Sequence, residues 1–289
     1  MIHILNKILP SVRSGYMLLK KNDPLILSSS TAFFMTFSLS PILIILTDLL
    51  TPILGKETVH KELFSKIQEA LGSRIAKDVH TIVDGFEAHE TSLLLTILST
   101  VFLYFVATTL LAVIKQAIHQ IWSIKKKEST QGVYYLKERL TGIALMFLVA
   151  VLTAISYLMG VIESSFNNNQ LLVSFISVIF SLIIIVTFFT MLLKYLPEAL
   201  VRWPIALAGG TFTGILFNSG VFILGKVLVH KQIASIFGVS TSIAILLLFI
   251  FYCSFILYLG VSFTYELGKG SRRPIEPGIY SIEFKKFQN

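Results

Sequence analysis

The sequence predicts an all-α, polytopic membrane protein with six transmembrane helices, an N-terminal interfacial helix and a helical extramembrane loop. Of its 289 residues, 54% are hydrophobic and only 14% are charged. Such a chain has too little polar surface to cover a soluble globule of this size. Six apolar stretches are each long enough, at about 1.5 Å per residue, to cross a hydrocarbon core of about 30 Å.

The chain divides into three regions. Residues 1–24 place apolar side chains at helical spacing between lysines and an arginine, which predicts an amphipathic helix in the membrane interface. The six spans are predicted at residues 25–50, 92–122, 140–162, 171–193, 203–228 and 239–265, so the transmembrane domain covers 25–265. Residues 51–91 are polar but carry apolar residues at three- and four-residue steps, which predicts amphipathic helices folded back on the membrane or the bundle. The tail, residues 266–289, is predicted to be extended.

Orientation follows from the distribution of basic residues. Six spans place both termini on one side, and that side carries 17 Lys and Arg residues against 7 on the other. The positive-inside rule therefore predicts cytoplasmic N- and C-termini and an external 51–91 loop. The net charge of +8 is accordingly assigned to topology and anionic lipid, and no nucleic-acid partner is expected.

The first span is unusually polar for a membrane helix. Ser29, Thr36 and Ser40 share one face, Ser38 lies on a second track, and Pro41 leaves a backbone carbonyl of the preceding turn without its usual donor. Two interpretations stay open. The hydroxyls bond to their own backbone inside a packed bundle, or they line a substrate path, in which case a cavity is expected beside the fifth span.

The inner end of the second span carries a mixed stripe. Lys115, His119 and Trp122 follow one another at steps of four and three, so they share a helix face, with Gln116 beside them. A snorkelling lysine and an interfacial indole predict a belt at the headgroup level. The alternative is a specific contact with an anionic headgroup, in which Lys115 supplies the charge and Gln116 or Gln120 a donor.

The fifth span is built for close packing. Gly209, Gly210 and Gly214 include a small-xxx-small pair, which predicts the close approach of a neighbouring helix. Asn218 lies near the middle of the span and must find a polar partner there. It is therefore predicted to make an interhelical contact or to line a pathway.

No catalytic residue, metal site or cofactor is expected. The single cysteine, Cys253, excludes an intrachain disulfide and a Cys-based zinc site. His80 has no second histidine four residues away to complete a ligand pair. Acidic residues on the cytoplasmic side, Glu138 and Glu198 among them, are interpreted as scattered singly, so no acid/base pair is expected.

Several motifs in order resemble a known family. They are STAFFMTFSLSP (30–41), AIHQIW (117–122), YLP (195–197) followed by Trp203 and Gly209–Gly210, FG (237–238) and LG (259–260). Their order and spacing resemble the YihY/BrkB family of bacterial inner-membrane proteins, formerly labelled ribonuclease BN, over nearly the whole chain. The resemblance implies a six-helix protein of the bacterial inner membrane, with proposed links to envelope integrity, virulence and lipid or metabolite export.

Two functions are weighed. The polar first span, the Gly-rich fifth span and the cationic belts favour a transporter or flippase-like protein for a lipid or amphiphilic envelope component. Its partners are then membrane lipids, including anionic headgroups on the cytoplasmic side. The alternative is a non-transporting scaffold whose periplasmic 51–91 loop binds an envelope protein. The residues give no support to the ribonuclease label, and the chain is not expected to be an enzyme.

Overall fold

The computed structural model describes residues 2–87, 93–127, 131–165, 170–228, 241–271 and 274–283. Its helices are α1 (Ile2–Lys20), α2 (Pro24–Leu54), α3 (Lys56–Leu71), α4 (Ser73–Glu87), α5 (Leu93–Trp122), α6 (Gln131–Ser165), α7 (Gln170–Tyr195), α8 (Trp203–Leu228) and α9 (Thr241–Lys269). The strands are β1 (Ile124–Lys126), β2 (Ala199–Leu200), β3 (Glu276–Pro277) and β4 (Ser281–Glu283). The predicted helical class is confirmed, whereas these short strands were not predicted.

Within the described residues, six helices are long and apolar enough to cross a membrane. Their apolar segments are Pro24–Leu54, Val101–Trp122, Leu136–Ile162, Ile176–Tyr195, Trp203–Leu224 and Ile243–Lys269. Each contains a window with at most two charged residues, which is the composition that a hydrocarbon environment requires. The chain therefore has the six apolar helices that the hydropathy pattern predicts.

The strands tie three segments together at one end of the helix bundle. Helices α5, α7 and α9 all end here. Strand β1 follows α5, and β2 follows α7. The segment 274–283 pairs antiparallel with both, β4 with β1 and β3 with β2. We call this end the strand end. The tail thus forms the predicted extended segment, but it pairs with two interhelical connections.

Helix α1 packs against α9 near the strand end. A Cβ added to Gly15 would lie 2.9 Å from the Cα of Phe263, so the two backbones approach closely. Leu19 is completely buried. One face of the amphipathic helix is therefore occupied by α9, and its placement in the membrane interface stays a prediction.

Helices α3 and α4 form a hairpin at the opposite end of the bundle. Val59 and Leu63 of α3 pack with Leu46 and Leu50 of α2. Apolar residues of α4 pack in a second cluster with residues of α2, α5 and α9. The described part of this loop, residues 56–87, is thus helical and folds back on the bundle, as its periodicity predicts.

Close helix packing centres on the glycines of α8. A Cβ at Gly210 would lie 2.7 Å from the backbone nitrogen of Thr190 in α7, and one at Gly214 would lie 2.9 Å from a methyl group of Val186. A Cβ at Gly209 would meet Thr264 of α9. These three glycines therefore let α8 approach both neighbours at distances that a larger residue would prevent.

Candidate functional site

A cluster of two cations and two carboxylates lies at the strand end, with Lys115 and Glu198 buried, Glu138 partly buried and Lys137 exposed. Lys115 of α5 places its Nζ 3.5 Å from Oε2 of Glu198 and 3.8 Å from Oε1 of Glu138. Lys137 places its Nζ 3.0 Å from Oε1 of Glu198. Only 6% of the Lys115 side chain and 4% of the Glu198 side chain are exposed. The formal charges balance, which is the condition under which buried ions are tolerated. We call these four residues the ion cluster.

The ion cluster corrects the interpretation that Glu138 and Glu198 stand singly. Glu138 joins it because α6 begins at Gln131, two turns before the predicted span at residue 140. Glu198 joins it from the α7–α8 connection, where its backbone has a left-handed φ of 53°. The tail then covers this connection, since the amide of Gly278 donates to the backbone oxygen of Glu198 at 2.9 Å. Three chain segments thus meet around Lys115.

Neither carboxylate oxygen of Glu198 accepts a hydrogen bond of ordinary geometry from the described residues, so its partners are the two ammonium groups at ion-pair distance. A carboxylate in this position depends on those charges for its stabilisation. The cluster is therefore sensitive to the loss of any one cation.

The stripe at the end of α5 faces the bundle interior. His119 Nε2 lies 2.7 Å from the backbone oxygen of Pro197, which requires that Nε2 carry the donated proton. The indole N–H of Trp122 donates to the oxygen of Val261 at 3.0 Å, and only 1% of this residue is exposed. The interface-belt interpretation is therefore wrong for Lys115, His119 and Trp122, because neighbouring helices bury them. The same burial removes Lys115 as the charge of a headgroup contact. Gln116 is exposed, and a headgroup contact stays a prediction for this residue.

Six residues were predicted to line a pathway or to make polar contacts in the bundle: Ser29, Thr36, Ser38, Ser40, Pro41 and Asn218. Three of them donate hydrogen bonds to backbone oxygens. Ser29 and Thr36 donate to backbone oxygens of their own helix, at 3.1 and 2.8 Å. Ser38 donates to a backbone oxygen of α5 at 3.3 Å, so it is a contact between helices. Ser40 and Asn218 are half-buried and Pro41 is buried.

An elongated cavity of about 540 Å³ runs between the helices. Its walls come from α2, α5, α6, α7 and α9, with Phe217 from α8 and Lys66 from α3. Along α2 the lining runs from Thr31 to Leu46, which corresponds to about 22 Å of helix. None of the six predicted pathway residues is part of the lining, and α8 contributes one side chain. The cavity therefore lies away from the position expected beside the fifth span.

The two ends of the cavity differ in chemistry. Toward the strand end it is bounded by Ile114 and Leu192, and Ile114 precedes Lys115 of the ion cluster. At the opposite end lies Lys66, whose Nζ donates to Ser156 Oγ at 3.2 Å and is 3.2 Å from Oε1 of Glu62. Between them the wall consists mainly of aliphatic and aromatic side chains. The arrangement can accommodate a long apolar group with a polar end.

No group of three His, Cys, Asp or Glu side chains among the described residues is placed to hold a metal ion. The hairpin does bring two histidines together, which the sequence did not predict. The ring centroids of His60 and His80 are 5.9 Å apart, and Phe64 lies 4.3 Å from His80.

The family model for virulence factor BrkB matches residues 19–278. The chain belongs to the BrkB family. This confirms the resemblance seen in the sequence motifs, and it makes the chain a membrane protein with several apolar helices. No curated protein and no solved structure matches the chain. The BrkB match includes the ion cluster and every residue that lines the cavity.

Sequence reasoning missed Glu198, Glu138 and Lys66 as members of a site. One signal was available for the carboxylates. A lysine at the end of an apolar helix needs either water or a counter-ion, and the α7–α8 connection offers a carboxylate next to a proline. For Lys66 no comparable signal exists, because it is one of five basic residues in a charged loop.

Proposed function

We propose that this BrkB-family protein moves a lipid or another amphiphilic envelope component across the bacterial inner membrane, as a transporter or flippase. The observation that supports this proposal is the elongated apolar cavity of about 540 Å³. Its volume is in the range of about 300–1,000 Å³ that small-molecule sites occupy, and its apolar wall suits hydrocarbon. An apolar chain bound along this wall would be shielded from water, which is favourable for hydrocarbon.

The proposal includes an orientation. The strand end carries the described part of the tail, and α1 packs against α9 near it. The positive-inside rule predicts cytoplasmic termini, so we place the strand end in the cytoplasm and the α3–α4 hairpin in the periplasm. Lys66 then lies near the outer surface of the inner membrane. We also propose that the chain is not an enzyme. The ion cluster joins its carboxylates to lysines, which is the pairing expected of a structural ion network and leaves no acid/base pair for hydrolysis.

The test is a reconstitution experiment in which the protein is placed in lipid vesicles containing a fluorescent phospholipid in both leaflets. A membrane-impermeant quencher then reports the fraction of the lipid that reaches the outer leaflet. We expect faster exchange than in protein-free vesicles. We expect Ala107→Phe to slow the exchange, because Ala107 lines the cavity and a phenyl group there occupies part of its volume.

The matched control is Ala112→Phe, which makes the same change on the same helix outside the lining. It should leave the exchange rate unchanged, as should Ser40→Leu and Asn218→Leu, which also alter residues outside the lining. If folded wild-type protein gave no exchange above protein-free vesicles, the transport proposal would be wrong. Retained binding of an envelope protein to the α3–α4 hairpin would then favour the scaffold function.

A further inference from the structure

We infer that the Lys66 end of the cavity is a binding site for the anionic headgroup of a phospholipid whose acyl chain occupies the cavity. This inference rests on the proposed function, for which it names the substrate class and the position of its polar end. Among the lining residues that the structure describes, Lys66 is the one charged residue. It lies at the end where α3 meets the bundle.

The donors at this end converge on a place where an anion can bind. A lysine ammonium has three N–H donors, and here two are directed at Glu62 and Ser156. The Ser156 hydroxyl accepts from Lys66 and keeps its own proton to donate. One ammonium donor and one hydroxyl donor are thus available to a phosphate oxygen, and a hydrogen bond to a charged group is the stronger kind.

The position of Lys66 matches the two-sided nature of a lipid. Its side chain is 47% exposed, so a bound phosphate would stay in contact with water. The same residue borders an apolar cavity, so the attached chain would leave water. Lys66 is also held in place, because Leu63 and Val59 on the same helix are buried against α2.

Glu62 limits how strongly an anion binds at Lys66. Its carboxylate pairs with Lys66 across one helical turn and competes with any anion for the ammonium. Removing this competitor strengthens anion binding, and removing Lys66 weakens it. The two substitutions therefore act in opposite directions on the same ligand, which a loss of folding cannot imitate.

The experiment measures equilibrium binding of phosphatidylglycerol and of diacylglycerol with identical acyl chains, which lacks the phosphate, to the purified full-length chain in neutral detergent, by native mass spectrometry. We expect the anionic lipid to bind about five- to tenfold more tightly than the uncharged one, a ratio that corresponds to about 1–1.4 kcal/mol. Lys66→Gln should abolish this preference and leave diacylglycerol binding unchanged. Glu62→Gln should increase it.

The matched control is Lys61→Gln, which removes the same charge from the exposed face of the same helix outside the cavity lining. It should bind both lipids as the wild type does, and Lys66→Arg should keep the preference. A preference that survives Lys66→Gln, or that Lys61→Gln lowers equally, would overturn the inference. A free fatty acid that binds more tightly than phosphatidylglycerol would overturn the assignment to a phospholipid.

The outcomes separate the inference from the proposed function. Headgroup preference at Lys66 without lipid exchange in vesicles would refute transport and retain the site. If lipid exchange occurs in vesicles but the headgroup preference does not depend on Lys66, the site would be refuted and transport retained.

Discussion

Replacing Lys115 by Met tests whether the ion cluster stabilises the strand end. Methionine is of similar length and carries no charge, so the change removes a cation with little change in shape. The remaining cluster has one cation, Lys137, for the two carboxylates Glu138 and Glu198, and Glu198 is almost fully buried. Removing one partner of a buried ion pair typically costs about 3–5 kcal/mol. Because Lys137 still pairs with Glu198, we expect about 3 kcal/mol.

The Lys115→Met variant should therefore unfold at a lower temperature. At about 2–4 °C per kcal/mol, a loss of about 3 kcal/mol lowers the Tm by about 6–12 °C. Glu198→Gln should have a similar effect, since it leaves the Lys115 ammonium buried with Glu138 at 3.8 Å. In the double variant the formal charges balance again. The double variant should lose less free energy of unfolding than the two single variants lose together, by about 1–3 kcal/mol.

The assay is thermal unfolding of the purified protein in detergent, with all variants in the same lipid and salt. The control is Lys77→Met, which removes an exposed lysine of α4 and should stay within about 0.5 kcal/mol of the wild type. If Lys115→Met behaved like this control, or if the two single costs simply added, the carboxylates would not depend on Lys115. The reasoning about the cluster would then be wrong.

Four further substitutions test the packing, the last of them with its own control. Gly210→Ala should lower the free energy of unfolding by about 1–3 kcal/mol, because its Cβ would lie 2.7 Å from a backbone nitrogen of α7. Gly160→Ala meets nothing within 4 Å and should raise it by about 0.5 kcal/mol, both measured as Tm shifts. Trp122→Phe removes the indole donor to α9 and should cost about 1–3 kcal/mol by the same assay. Gly278→Ala would place a Cβ 2.5 Å from a backbone oxygen of the α7–α8 connection, so the tail should become sensitive to proteolysis, whereas Ile279→Ala, at a 79% exposed position, should not.

The helices were predictable because their signal is local. A hydrocarbon core requires long apolar segments, and each such segment is visible in the sequence without knowledge of its neighbours. The periodicity of residues 51–91 was equally local, since it records which face of each helix is apolar. The short strands gave no such signal. A two-residue strand such as β2 forms because the tail at Glu276 and Pro277 is brought beside it, and only the folded chain provides that partner.

The site was less predictable because it depends on what each helix face meets. The spacing of Lys115, His119 and Trp122 correctly placed them on one face, but a lipid interface and a buried ion network favour the same residue types there. The partners come from α6 and from the α7–α8 connection. For Ser29 and Thr36 of α2 the structure agrees with the first of the two interpretations, because both hydroxyls donate to backbone oxygens of their own helix.

The ion cluster and the cavity constrain the same helix. Helix α6 lines the cavity from Leu145 to Ser156, and its first turns carry Lys137 and Glu138 of the cluster. Arg139 adds a hydrogen bond to Thr108 of α5, which is next to the lining residue Ala107. A movement of α6 away from α5 that widens the cavity therefore has to separate charges at the strand end first. Because separating buried charges is costly, we expect the ion cluster to hold this wall of the cavity in place.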